Sequence, residues 1–323
     1  MKTVFVGKLN WRGTTWFLVI AYGLCWSLAL PIWLHGKGLN WIWSGDLILA
    51  MNFTPAIATL VVTRFISPIS QLRQSTGLRL GVRGSRWATY YLLAWLGMIA
   101  LSTAAPFVAA LFGVYPLDLV HFSGYRAVLE STLGSSVDQI MGNLSIQAAV
   151  LIGLGYTILR ALLLTPLTFG EEWGWRGYLL MRLLPLGQLP ALLITGAIWG
   201  FWHAPVILLG YNYPQHPMLG VLLMTITCML VSTFLGWMRL KTGSVWPAVL
   251  GHAAFNASSG AIFVFHQAGA NIDTAVVGLM GWTGWILMLG FLVLLILTRQ
   301  LPIRDLSEPF ELRKQGLMYR TEI

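Results

Sequence analysis

Three short stretches of this sequence carry side chains that could do chemistry: GEEWGWR at 170–176, GFWHAP at 200–205 and GHAAFNA at 251–257. They supply Glu171, Glu172 and Arg176, then His203, then His252 with Asn256. A carboxylate can take a proton from water, imidazoles can donate to an oxyanion or a leaving group, and a carboxamide can hold an oxyanion. Together these are the side chains of a hydrolytic site. All of them sit in strongly apolar surroundings, where ionisable groups cost free energy and mark functional positions by default.

Helical spacing sorts the first cluster. Glu172 and Arg176 are four residues apart, so they share a face and can pair. Glu171 points about 100° away around the helix, and Arg176 is less well placed to neutralise it. The two acids therefore have different tasks. His252 and Asn256 are also four apart and project together. Pro205 follows His203 closely and can kink that helix about one turn below. Gly174 and Gly177 suit close helix approach. His35, His121, His216 and His266 fall in loops or at span ends and read as surface residues.

The elements that must position these groups follow from composition. The chain of 323 residues is 57% hydrophobic and only 10% charged, with 16 Trp and a mean hydropathy of +0.72. Soluble domains average about 45–50% apolar and about 25% charged. Runs of about 20 residues with little charge recur along the chain, the length a helix needs to cross the hydrocarbon layer. The fold class is an all-α polytopic transmembrane bundle, a single integral membrane domain over 1–323. The spacing predicts about eight spans, at 14–34, 47–66, 87–113, 155–183, 189–211, 217–238, 244–265 and 275–298. Residues 145–265 would hold the catalytic core helices and 299–323 a cytoplasmic tail. The stretch from 145 to 155 reads as a separate interfacial helix, and 114–144 as an amphipathic surface connection. Cys25 and Cys228 both lie in apolar runs and read as small buried hydrophobes.

The net charge of +9 could suggest nucleic acid, but its distribution points to the membrane. With alternate loops assigned to opposite sides, all of the 20 basic residues except Lys37, Arg126 and Arg160 fall on one side. Arg160 reads as a helix-end residue. Asp46, Asp118, Glu130, Asp138 and Asp273 fall with those three. Cytoplasmic loops carry an excess of Lys and Arg, which places both termini in the cytoplasm and excludes a nucleic-acid partner. The first apolar run is long for a signal peptide and lacks a small-x-small cleavage pattern, so it reads as a retained first helix.

Depth offers a further test. At about 1.5 Å per residue, Glu171 lies about 16 Å from Arg182, His203 about 21 Å from Leu189, and His252 about 12 Å from Ser244. The three clusters then share one layer in the cytoplasmic half of the membrane. The competing reading is interhelical glue, in which polar groups each contribute about 0.6–2 kcal/mol to helix association.

E-E-x-x-x-R, an aromatic-x-x-x-H and H-x-x-x-N on successive apolar helices resemble the CPBP family. These intramembrane endopeptidases include type II CAAX prenyl proteases and bacterial Abi proteins. Glu171, Glu172 and Arg176 match the first motif, Trp199 and His203 the second, and His252 and Asn256 the third. The family usually has Phe where Trp199 stands, a change that keeps an aromatic wall. The resemblance covers about residues 165–260. It implies an eight-helix core with its site sunk in the membrane and open toward the cytosol. It also implies that Glu171 is the catalytic base, with His203, His252 and Asn256 around the attacked carbonyl and Glu172, Arg176 and Trp199 in support.

The family's chemistry has been read both with a metal and with glutamate-activated water alone. If metal-dependent, Glu171, His203 and His252 would be the ligands. There is no H-E-x-x-H, and zinc normally takes three or four His, Cys or carboxylate ligands. The favoured reading has no metal or cofactor, with zinc as the alternative. The expected partner is a peptide or lipidated protein at the membrane, and the location is the cell membrane if the source is bacterial. A non-catalytic binding or immunity protein is the second reading. A secondary transporter is the third, disfavoured because the sequence lacks repeated halves.

Overall fold

The computed structural model describes residues 3–6, 9–80, 86–136, 139, 141–303 and 318–321. Lys2, Lys8, Arg83, Asp138 and most of the expected tail, Arg304, Arg313 and Lys314 included, lie outside them. Helix starts are set by local chemistry. Asn10 accepts a hydrogen bond from the Gly13 amide at the head of α1 (Trp11–Leu34), satisfying one of the amides that a helix N-terminus leaves free. Next come α2 (Ser44–Met51) and α3 (Thr54–Val61), prolonged by a π-helical turn over Val62–Ile66. A short α4 (Leu72–Ser75), a long α5 (Arg86–Leu111) and α6 (Ser123–Leu133) lead to α7 (Ile146–Glu172).

Ser145 caps α7 through the Ala148 amide. The helix runs unbroken from there, so 145–155 is not a separate interfacial element. Instead α7 passes through a π-helical turn, Trp173–Leu179, into α8 (Leu180–Leu183). Then follow α9 (Gln188–Trp202), α10 (Ala204–Ile207), α11 (Pro217–Thr242), α12 (Trp246–Ser258) and α13 (Trp282–Leu297). The strands among the described residues, β1 (Thr3–Val6) and β2 (Met318–Thr321), form one antiparallel ribbon.

Five helical stretches among the described residues are long and apolar enough to cross a membrane: Trp11–Leu34, Ser44–Ile66, Trp87–Leu111, Ile146–Leu186 and Pro217–Thr242. Gln188–Trp202 and Trp282–Leu297 are apolar but shorter. The helical membrane bundle is therefore present, while the fifth, seventh and eighth expected spans are shorter than hydropathy suggested. Outward-facing Leu289, Val293 and Leu294 on α13 are explained by lipid contact. Cys25 and Cys228 are buried and unpaired.

Small residues bring the helices together. A Cβ on Gly196 would stand 2.4 Å from Met229 Cα, and one on Gly200 would stand 2.5 Å from Thr225 Cα. These two glycines, one turn apart on α9, let its backbone lie against α11. Gly174 meets Pro55 in the same way, at 2.2 Å. Between α5 and α7 runs α12.

Hydrogen bonds tie each end of the bundle together. At one end Arg239 donates to the Ser75 carbonyl at 3.2 Å, Trp246 to Leu78 at 3.0 Å, and Lys241 to Gln300 Oε1 at 2.8 Å. At the other, the Asp118 amide donates to Phe265 at 2.8 Å, Thr274 to the Asn212 carbonyl at 2.7 Å, and His216 pairs with Asp273 at 2.8 Å. His266, expected at the surface, is buried there, because its loop folds over the start of α6.

Candidate active site

Glu171 and Glu172 close α7 immediately before its π-helical turn. Such insertions widen a helix locally and recur at functional sites. Every residue from Gly170 to Leu180 is buried. Within this stretch Arg176 reaches Glu172 Oε1 at 2.6 Å, with both side chains fully buried. The same oxygen receives His252 Nδ1 at 2.9 Å. Glu172 thus ties its own helix to α12. Arg176 is a member of this buried pair rather than a flanking charge.

Glu171 takes a different route. Its Oε2 accepts the Trp199 indole N–H at 2.6 Å. Trp199 also stacks under Arg176, 4.3 Å from guanidinium carbon to ring centroid, a cation–π arrangement. Its carbonyl receives His203 Nδ1 at 2.9 Å, and its ring meets the edge of His252 at 5.0 Å. One tryptophan thereby touches the acid, the cation and both imidazoles. The aromatic-wall reading missed this, and the Phe usual at this position could not donate to Glu171.

A break in the fifth hydrophobic segment positions His203. It ends α9 and begins α10, where Pro205 lacks the N–H that a continuous helix would need. The carbonyls freed near the break find donors on α1: Trp26 bonds Trp202 at 3.3 Å and Trp33 bonds Pro205 at 2.9 Å. Trp202 packs edge-on to the His203 ring at 4.7 Å.

Carbonyl and carboxylate oxygens only accept, so both imidazoles carry their proton on Nδ1. In each, Nε2 remains for the cavity, and it has no hydrogen-bond partner among the described residues. Glu171, His203, His252 and Asn256 all line one cavity of about 310 Å³. The structure therefore brings together the four residues singled out in the sequence and keeps Glu172 and Arg176 out of the lining. Asn52, Tyr211, Asn212 and Arg160 line it as well. Sequence reasoning overlooked the first three, although Asn52 interrupts an apolar run. Arg160 lies within α7, not at a helix end.

Glu171, His203 and His252 would be the ligands of a metal-dependent site. Among the described residues, no group of three or more His, Cys, Asp or Glu is placed to hold a metal ion. His252 turns its Nδ1 to Glu172, and Glu171 is engaged by Trp199. Both imidazoles give Nδ1 to a protein acceptor and keep Nε2 free, the orientation that such acceptors also impose on metal-binding histidines.

Fold and site together define a polytopic helical membrane protein with a buried acid–imidazole–amide cavity. Residues 151–258 match the family model described as type II CAAX prenyl endopeptidase Rce1-like. That segment contains every motif residue from Glu171 to Asn256, so the family resemblance holds over it. No curated protein matches the chain.

Proposed function

We propose that the protein is an intramembrane endopeptidase acting through a glutamate-activated water, with residues 145–265 as its catalytic core. The observation that carries this reading is the shared cavity of Glu171, His203, His252 and Asn256, from which the neighbouring acid is withheld. Glu171 takes a proton from water while the water oxygen bonds to the peptide carbonyl carbon. The resulting oxyanion accepts a hydrogen bond from the Asn256 amide. When the C–N bond breaks, the proton passes to the leaving amine. His203 and His252 assist at Nε2, donating only in their imidazolium forms. Glu172 and Arg176 hold His252, and Trp199 holds Glu171 and His203. No metal step is included; were a metal bound, Glu171, His203 and His252 would be its ligands. The substrate is a peptide or lipidated protein at the membrane.

The test compares purified variants on membrane peptides. Glu171→Gln should fold normally and lose cleavage. Asn256→Ala should slow turnover by about 10²–10³-fold, the usual effect of removing an oxyanion donor. Exhaustive chelation should leave activity intact. If no Glu171-dependent cleavage appears across a wide peptide panel, the non-catalytic binding reading replaces this one.

A further inference from the structure

The cavity is not symmetric along the bundle axis. Each element that lines it does so from the same end. Asn52 comes from the break between α2 and α3 in the first half of the second span, Asn256 from the last turn of α12 with Ser259 just beyond it, and Asn212 from the loop after α10. Arg160 stands eleven residues before Glu171, about 16 Å up α7 at the usual helical rise. Arg160 is exposed and has no hydrogen-bond or ion-pair partner among the described residues. A charge in that position requires water or lipid headgroups, so this end of the cavity faces the membrane boundary.

On the other side of Glu171 the bundle is solid. Gly170–Leu180, Leu230–Leu240 and Pro247–Phe255 are each buried without interruption. A substrate has no route through that half.

The solid half is also the basic half. Arg64, Arg73, Arg79, Arg239, Lys241 and Arg299 lie at that end, and no Asp or Glu accompanies them among the described residues. The open end has Lys37 and Arg126 beside Asp46, Asp118, Glu130 and Asp273. Basic flanks remain in the cytoplasm during insertion. Cytoplasmic termini and a site open to the cytosol, both expected from the sequence, are therefore incompatible in this bundle.

We infer that the cavity opens on the non-cytoplasmic face and takes its substrate there, from a polypeptide segment already translocated or held in the outer leaflet. The inference rests on the hydrolytic reading for the word substrate, but the direction of opening does not depend on it. Two single-cysteine variants test the direction: Ser259→Cys at the cavity mouth and Arg73→Cys at the basic end. The native Cys25 and Cys228 are buried and give a low background. A membrane-impermeant maleimide is applied to right-side-out and inside-out vesicles, with detergent-solubilised protein as the reactivity control.

The expected result is labelling of S259C in right-side-out vesicles and of R73C in inside-out vesicles. Labelling of S259C from the face that labels R73C overturns the inference. So does failure to label S259C from the outer face when the solubilised protein reacts. In proteoliposomes of known orientation, Glu171-dependent cleavage should follow peptide added to the face that labels S259C. Absence of cleavage on both faces with the labelling as expected would count against the protease reading alone.

Discussion

Glu172 offers a quantitative test of how the two acids divide their work. Its carboxylate faces Arg176 at 2.6 Å, both groups fully buried, and shares Oε1 with His252. Glu172→Gln removes the charge but keeps an oxygen that can still accept from His252. The guanidinium is then buried without a counter-ion, which typically costs about 3–5 kcal/mol. Arg176→Met strands the carboxylate instead, at a similar cost of about 3–5 kcal/mol. Combining the two removes both charges and leaves an apolar chain of similar length against Trp199. Replacing a buried pair by well-packed neutral groups is often neutral or stabilising. The double variant should therefore recover at least about 3 kcal/mol relative to the sum of the single losses. Equilibrium unfolding in mixed micelles, followed by tryptophan fluorescence, measures all four species. Additive losses would refute the pairing as the reason for Glu172.

Three further outcomes follow from the same geometry. Trp199→Phe keeps the ring but removes the donor to Glu171. A hydrogen bond to a charged group contributes about 1.5–3 kcal/mol, so turnover should fall about 10–150-fold with KM little changed; unchanged turnover would separate Trp199 from positioning. Gly196→Ala forces a methyl into the α11 backbone and should cost about 1–3 kcal/mol as overpacking, read from the same unfolding assay. Asp118, outside the membrane spans, is held ionised below the usual carboxylate range by the Ser123 hydroxyl and by the Ser123 and His121 amides. A depressed folded-state value contributes stability that is fully present above the ordinary Asp range and is lost as pH falls from that range through the depressed folded value. Asp118→Asn should therefore loosen the 115–125 loop at neutral pH, measured by amide hydrogen exchange. The difference from wild type should shrink in acid.

Much of this molecule is written locally. Apolar runs longer than a bilayer needs fix the helical membrane class, because an unsatisfied backbone in lipid leaves few alternatives. The four-residue spacing of Glu172 and Arg176 fixes their pairing, since neighbours on one helix face meet whatever surrounds them. Helical rise put Glu171, His203 and His252 at one depth, and the family resemblance marked them with Asn256 as one set. Tertiary structure decided what depends on distant segments. His252 bonds Glu172 rather than standing free, because α12 passes beside the end of α7. Trp199 became the link between Glu171 and His203 because α9 ends in a break that frees its carbonyl. Arg160 and Asn52 joined the cavity because two helices separated by about a hundred residues lie together at its mouth. Periodicity records which face a residue occupies. It cannot record which end of the bundle packs solid and which stays open, and that difference decides at which end the cavity has its mouth.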